Sequence, residues 1–200
     1  MAYRSVAASG KAQFVVGDSE FLGYTDRVPT VGAAEQFIET RRGAHPEATH
    51  VVPAYRIRGS PVQSWASDDG EPSGTAGSPA LTVLEREALE NVVAVVVRYY
   101  GGTNLGVGGL ARAYARGVKA AVADAGITDR EPHDTLRVTV TYDDSGTVRG
   151  VLESVGATFE TSYEATVVFE VRVPTTTAAA LRNQLQSATS GRATIERAGD

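Results

Sequence analysis

The longest apolar run in the chain is Val92-Val93-Ala94-Val95-Val96-Val97, and it limits the fold more than any other feature. It falls well short of the roughly 18–20 apolar residues that span a membrane. Its valines follow one another without polar alternation, so the strand predicted over residues 91–99 leaves neither face to water. The segment after it is as constrained. Five of the nine residues from 101 to 109 are glycine. Glycine loses more backbone freedom on ordering than any other residue, so this density signals positive φ angles or a close approach by another group. The loop opens a helix predicted over residues 110–125.

Upstream, short strands at residues 13–16 and 20–25 turn at Gly17-Asp18. Thr30 caps a helix with Val31, Ala34, Phe37 and Ile38 at helical spacing, ending near Gly43. A strand follows over residues 51–57, then a long polar segment over residues 59–77. Ser78 and Pro79 read as the N-cap and first residue of a further helix that buries Leu81, Leu84 and Ala88.

Composition shifts near residues 127–135, a polar stretch around Pro132 that reads as a linker. Beyond it Leu136, Val138, Val140 and Tyr142 alternate as a strand, and Val148, Val151, Leu152 and Val155 mark a helix face. Strands at residues 158–163 and 165–173, a helix through Leu181, Leu185 and Ala188, and a strand at 193–197 complete a β-α-β-β-α-β order. The split βαβ, ferredoxin-like sandwich explains that order economically. With 200 residues, the chain has room for two domains, placed at residues 1–128 and 135–200, in the α+β class. The second shows no catalytic constellation.

The net charge of −5 is uneven. Residues 1–126 hold 12 Lys/Arg against 13 Asp/Glu, and residues 127–200 hold 7 against 11. A polyanion would therefore engage the first part through a local basic patch. The absence of cysteine excludes disulfides, zinc-thiolate and iron–sulfur centres and a thiol nucleophile. The N-terminus has no basic region followed by an apolar core, so a soluble, cytoplasmic protein is expected.

Two segments can carry chemistry. In the first, Arg98, Gly101, Gly102, Gly106, Gly108 and Gly109 lead into a helix whose Arg112, Arg116 and Lys119 sit at i, i+4 and i+7 on one face. Unpaired N–H groups at such a helix start, together with four cations, suit phosphate or an RNA backbone. A solvated helix face explains the same stripe. Gly106-Val107-Gly108-Gly109-Leu110-Ala111 matches a dinucleotide-binding pattern. However, six residues separate it from the strand, and no acidic residue ends a second strand at the required distance. No Gly-Lys-Ser/Thr phosphate loop is present.

The second segment is Asp68-Asp69-Gly70-Glu71-Pro72-Ser73-Gly74-Thr75-Ala76-Gly77. Asp68, Asp69 and Glu71 are candidates for Mg²⁺, against the commoner role of acidic residues in capping turns. His50 opens a strand and reads as a buried polar residue bonded to backbone. Trp65, the only tryptophan, either stacks on a base or partner side chain or anchors its own loop.

Residues 68–77, Val95-Val96-Val97-Arg98-Tyr99-Tyr100-Gly101-Gly102, Leu105-Gly106 and Gly108-Gly109-Leu110 together resemble the signature of the IMPACT/YigZ family. The resemblance covers residues 10–126, and the remainder is similar to the second domain of prokaryotic members, which resembles a C-terminal domain of elongation factor G. It implies a first domain like the second domain of ribosomal protein S5, and a role around translation. Eukaryotic relatives restrain a starvation-activated kinase of an initiation factor, and RNA or ribosome binding is the usual suggestion for prokaryotic ones. Ser78 stands where members often carry lysine, which removes one candidate phosphate contact. The expectation is a monomeric, non-enzymatic, cofactor-free binder of RNA, the ribosome or a translation factor. The alternative is an enzyme or binder for a small phosphorylated ligand, holding metal at residues 68–71 and phosphate at residues 101–109.

Overall fold

The structure, a computed structural model, describes residues 2–198, which divide into a unit of residues 3–130 and a unit of residues 2 and 131–198. In the first unit the valine run lies in strand Val92–Tyr99 (β6), between Ser19–Arg27 (β3) and His50–Ile57 (β4). Gly10–Val16 (β2) and Gln63–Ala66 (β5) complete an antiparallel sheet ordered β2-β3-β6-β4-β5. Helices cover both faces, which is why the run does not alternate. Val92, Ala94 and Val96 belong to the core under Gly77–Arg86 (α2) and Gly106–Ala125 (α3), whereas Val93, Val95 and Val97 pack under Val31–Ala44 (α1). The β2–β3 hairpin turns on Gly17 and Asp18, at φ 52° and 62°, the left-handed pair a two-residue hairpin favours. Thr30 caps α1, its hydroxyl accepting the Ala33 N–H at 3.2 Å.

Three expectations need correction here. The polar segment over residues 59–77 contains an extra strand, β5. Helix α2 begins at Gly77 with Ala76 at its cap position, so Ser78 lies inside the helix and Pro79 is not its first residue. Residues 127–130 are not linker: Ile127–Arg130 (β7) pairs antiparallel with Tyr3–Val6 (β1). Those four residues looked structureless because a short two-stranded ribbon with exposed alternate positions has little apolar content to display.

Helix α3 approaches the sheet more closely than side chains normally permit. A Cβ at Gly23 would stand 2.3 Å from the Gly117 carbonyl oxygen, and one at Gly10 would stand 2.1 Å from that of Ala121.

The second unit contains His133–Val140 (β8), Tyr142–Ser154 (α4), Thr158–Tyr163 (β9), Val167–Pro174 (β10), Thr175–Ala188 (α5) and Thr194–Arg197 (β11). The sheet order β11-β8-β10-β9, antiparallel throughout, is the ferredoxin-like arrangement. Tyr142 starts α4 instead of ending a strand. One sheet face builds the core from Leu136, Val138, Val140, Phe169 and Val171. The other presents Arg137 opposite Glu170 and Glu196, with Glu160 opposite Glu170. That face carries no aromatic platform on which bases could stack. No helix among the described residues is long and apolar enough to cross a membrane.

Candidate functional site

The antiparallel register places Phe21, Arg98 and His50 side by side across β3, β6 and β4. Directly opposed residues share a face, here the one under α3. Arg98 is 4% exposed and needs a counter-charge there. Glu71 supplies it, with Arg98 Nη1 donating to Glu71 Oε1 at 2.7 Å. The same oxygen accepts the Tyr114 hydroxyl from α3 at 2.7 Å. Arg98 Nη2 also donates to Ser19 Oγ at 3.2 Å, and its guanidinium carbon lies 5.2 Å from the Tyr100 ring centre. Burial, reinforced by the bond to Glu71 and by its charge, pushes the Tyr114 phenol far above its ordinary pKa. His50 Nδ1 lies 2.8 Å from the Asp69 carbonyl, an acceptor that places the proton on Nδ1. Nε2 then faces Glu71 Oε1 at 3.8 Å.

The other acidic residues of this segment are fully employed. Asp68 accepts backbone N–H groups from Gly74, Ala76 and Gly77 at 2.8, 3.0 and 2.8 Å, so it caps α2 from outside the helix. Asp69, at φ 47°, accepts from Arg42 Nη2 and the Val51 N–H, both at 2.6 Å. Gly70 follows at φ 86°, and Thr75 folds its hydroxyl back to the Pro72 carbonyl at 2.6 Å. A Cβ at Gly77 would meet the Ser67 backbone at 2.7 Å. The three carboxylates therefore point to three separate sets of protein donors, and no metal-holding group of acidic or histidine side chains occurs among the described residues. The Mg²⁺ reading of Asp68, Asp69 and Glu71 is corrected accordingly: each carboxylate shapes the loop.

Burial raises the Asp68 pKa, but the N–H groups of Gly74, Gly77 and Ala76 outweigh it and hold the carboxyl below its usual value. A carboxylate depressed on folding adds stability above its unfolded pKa of about 3.9 and loses it as pH falls through the folded value. Asp68→Asn turns one acceptor oxygen into a donor facing an N–H and is expected to reduce stability by about 1–2 kcal/mol at pH 7, with the difference from the native protein narrowing below pH ~4. Urea denaturation at the two pH values checks both statements.

The glycine segment divides in two. Residues 101–105 are loop, and Gly106, Gly108 and Gly109 form the first turn of α3, which starts four residues before the predicted position. The early start is possible because Gly106 takes φ 67°. Gly101 is required sterically, since its Cβ would lie 1.9 Å from the Asp18 carbonyl oxygen, while Gly102 takes φ 94°. Thr103 Oγ1 donates to Asp18 at 2.8 Å, which ties the loop to the hairpin. The start of α3 has no side-chain cap and no acidic residue in its first turn. It opens onto a cleft of about 450 Å³ that also includes His50, Glu71, Arg98, Tyr100 and Asn104. Parts of both segments thus meet, while Asp68 and Asp69 lie outside the lining.

Arg98 is not the fourth free cation the sequence suggested, because Glu71 neutralises it. Arg112, Arg116 and Lys119 are exposed and line one shallow surface along α3, with Arg116 4.3 Å from the Phe14 ring centre. Tyr114 carries no site signal in the sequence, although a buried hydroxyl requires a partner. Ser19 and Asn104 give no signal in the sequence.

The Impact N-terminal domain family model matches residues 17–122, and a domain of unknown function, DUF1949, matches residues 138–192. IMPACT family member YvyE of Bacillus subtilis is 35% identical over 195 residues, covering 97% of this chain and 90% of that protein. IMPACT family member YigZ of Escherichia coli is 36% identical, covering 82% and 78% respectively. A crystal structure of a hypothetical protein, 30% identical, superposes with a TM-score of 0.73 over 100% of this chain and 98% of the other. With the motif residues, both domain matches and near-full-length relatives in agreement, the chain belongs to the IMPACT family.

Proposed function

We propose that this protein is a non-enzymatic, translation-associated regulator that binds RNA on the ribosome through α3. The observation that carries this reading is the row of Arg112, Arg116 and Lys119. All three are exposed, none has an ion-pair partner among the described residues, and they span about 10 Å along the axis of a helix whose start is uncapped. Family membership adds the translation context its resemblance implies. The acidic second unit and its polar sheet face favour a contact within residues 3–130.

Ribosome co-sedimentation across a salt series tests this. Native protein is expected to bind at low salt and to dissociate steeply as salt rises. The Arg112→Glu/Arg116→Glu variant is expected to lose binding, or to retain a remnant whose log–log salt slope is shallower by about 1–2. Absence of native binding at low salt, or equal binding by the variant, overturns the reading. A second reading rests on the cleft, where the uncapped N–H groups at the start of α3 could hold a small phosphorylated ligand. Calorimetric titration with a nucleoside monophosphate, unaffected by Arg112→Glu/Arg116→Glu, would favour it.

A further inference from the structure

Trp65 is not absorbed by any role above. It lies on β5, the outer strand of the sheet, directly opposite Tyr55 of β4, and the two rings stack at 5.5 Å with 29° between their planes. Yet Trp65 remains 45% exposed. The stacked pair forms one wall of a notch of about 300 Å³, and α1 forms the other. From α1, Glu35 and Glu39 line the notch four residues apart, with Ile38 and Arg42 beside them. Glu35 has no ion-pair partner among the described residues. Glu39 reaches Arg42 Nε at 3.5 Å, and Arg42 is already committed to Asp69 at 2.6 Å. Like charges at i, i+4 weaken a helix, and Arg42 offsets only the Glu39 member of this pair. Beside Tyr55, Glu35 reinforces burial in raising the phenol pKa.

We propose that this notch receives an arginine side chain from a basic polypeptide partner, its guanidinium stacked on Trp65 and paired with Glu35 and Glu39. A planar guanidinium stacks on aromatic faces and pairs with carboxylates, which suits this combination of walls. Because the notch is open along the sheet edge, an extended segment can present the side chain without entering the core. The notch lies on the α1 face of the sheet, opposite α2 and α3. The two surfaces therefore act independently, and this proposal does not depend on the RNA reading.

The test uses Trp65 as its own reporter, since it is the only tryptophan in the chain. The probe is an acetylated, amidated peptide of four Arg-Gly repeats, with its citrulline counterpart as the uncharged isostere. A saturable change in tryptophan emission is expected with the arginine peptide only. Glu35→Gln/Glu39→Gln, at exposed helix positions and checked by circular dichroism, is expected to weaken it roughly tenfold or more. An unsaturable response, an equal response to citrulline, or an unchanged response in the glutamine variant overturns the proposal. Arg112→Glu/Arg116→Glu is expected to leave the titration unchanged, so a failure here stays distinguishable from a failure of the α3 reading.

Discussion

Glu71→Ala is expected to destabilise residues 3–130 by about 3–5 kcal/mol, because it leaves the Arg98 guanidinium buried without a counter-charge. The remaining partners cannot compensate. Ser19 accepts one bond at 3.2 Å, and Arg98 Nε has no hydrogen-bond partner. Two companion variants separate charge from packing. Tyr114→Phe removes one bond to Glu71 but keeps the ion pair, and is expected to cost about 1.5–3 kcal/mol. Glu71→Leu/Arg98→Met replaces both ions with apolar groups and is expected to recover part of the loss, since buried pairs exchanged whole are often neutral but the Tyr114 hydroxyl is left without its acceptor. Urea denaturation followed by Trp65 emission reports on this unit alone, which avoids the mixed transitions of a two-unit chain. A single-variant loss below about 1 kcal/mol would sink the buried-pair account. If the double variant folds and still sediments with ribosomes, Arg98 is a strut under the cleft and the binding charge resides on α3.

That result would also explain why the sequence revealed the site only in outline. The valine run, the glycine loop and the cation stripe were legible because each is a local pattern: an apolar stretch, a composition bias, a helical spacing. The β-α-β-β-α-β order was legible for the same reason, as its alternation and helical periods survive in single segments. The employment of Asp68, Asp69 and Glu71 is not local. Glu71 meets Arg98 across 27 positions and Tyr114 across 43, and Asp69 reaches Arg42 across 27. Three acidic residues within four positions therefore looked like a metal site, although the backbone reversals at Asp69 and Gly70 direct them apart. The same limit hid Trp65, whose neighbours Glu35 and Glu39 lie on α1.

Gly23→Ala carries the second large expected effect, roughly 3 kcal/mol of destabilisation. Its new methyl would stand 2.3 Å from the Gly117 carbonyl oxygen, a backbone atom that moves only if α3 lifts from the sheet. Gly117→Ala should be milder, because its methyl meets the Val96 side chain at 3.0 Å and a side chain can shift by a few tenths of an ångström. Gly32→Ala, on α1 with nothing within 4 Å of the added Cβ, should be neutral or stabilise by up to about 0.5–1 kcal/mol. The ranking matters more than any single value, since all three variants add one methyl and differ only in what it meets. If Gly23→Ala and Gly32→Ala prove alike in urea denaturation, α3 is not held at contact distance. If the ranking holds, the small residues under α3 set the height of its second half above the sheet. They then fix the placement of Arg116 and Lys119, which flank Gly117 on the helix.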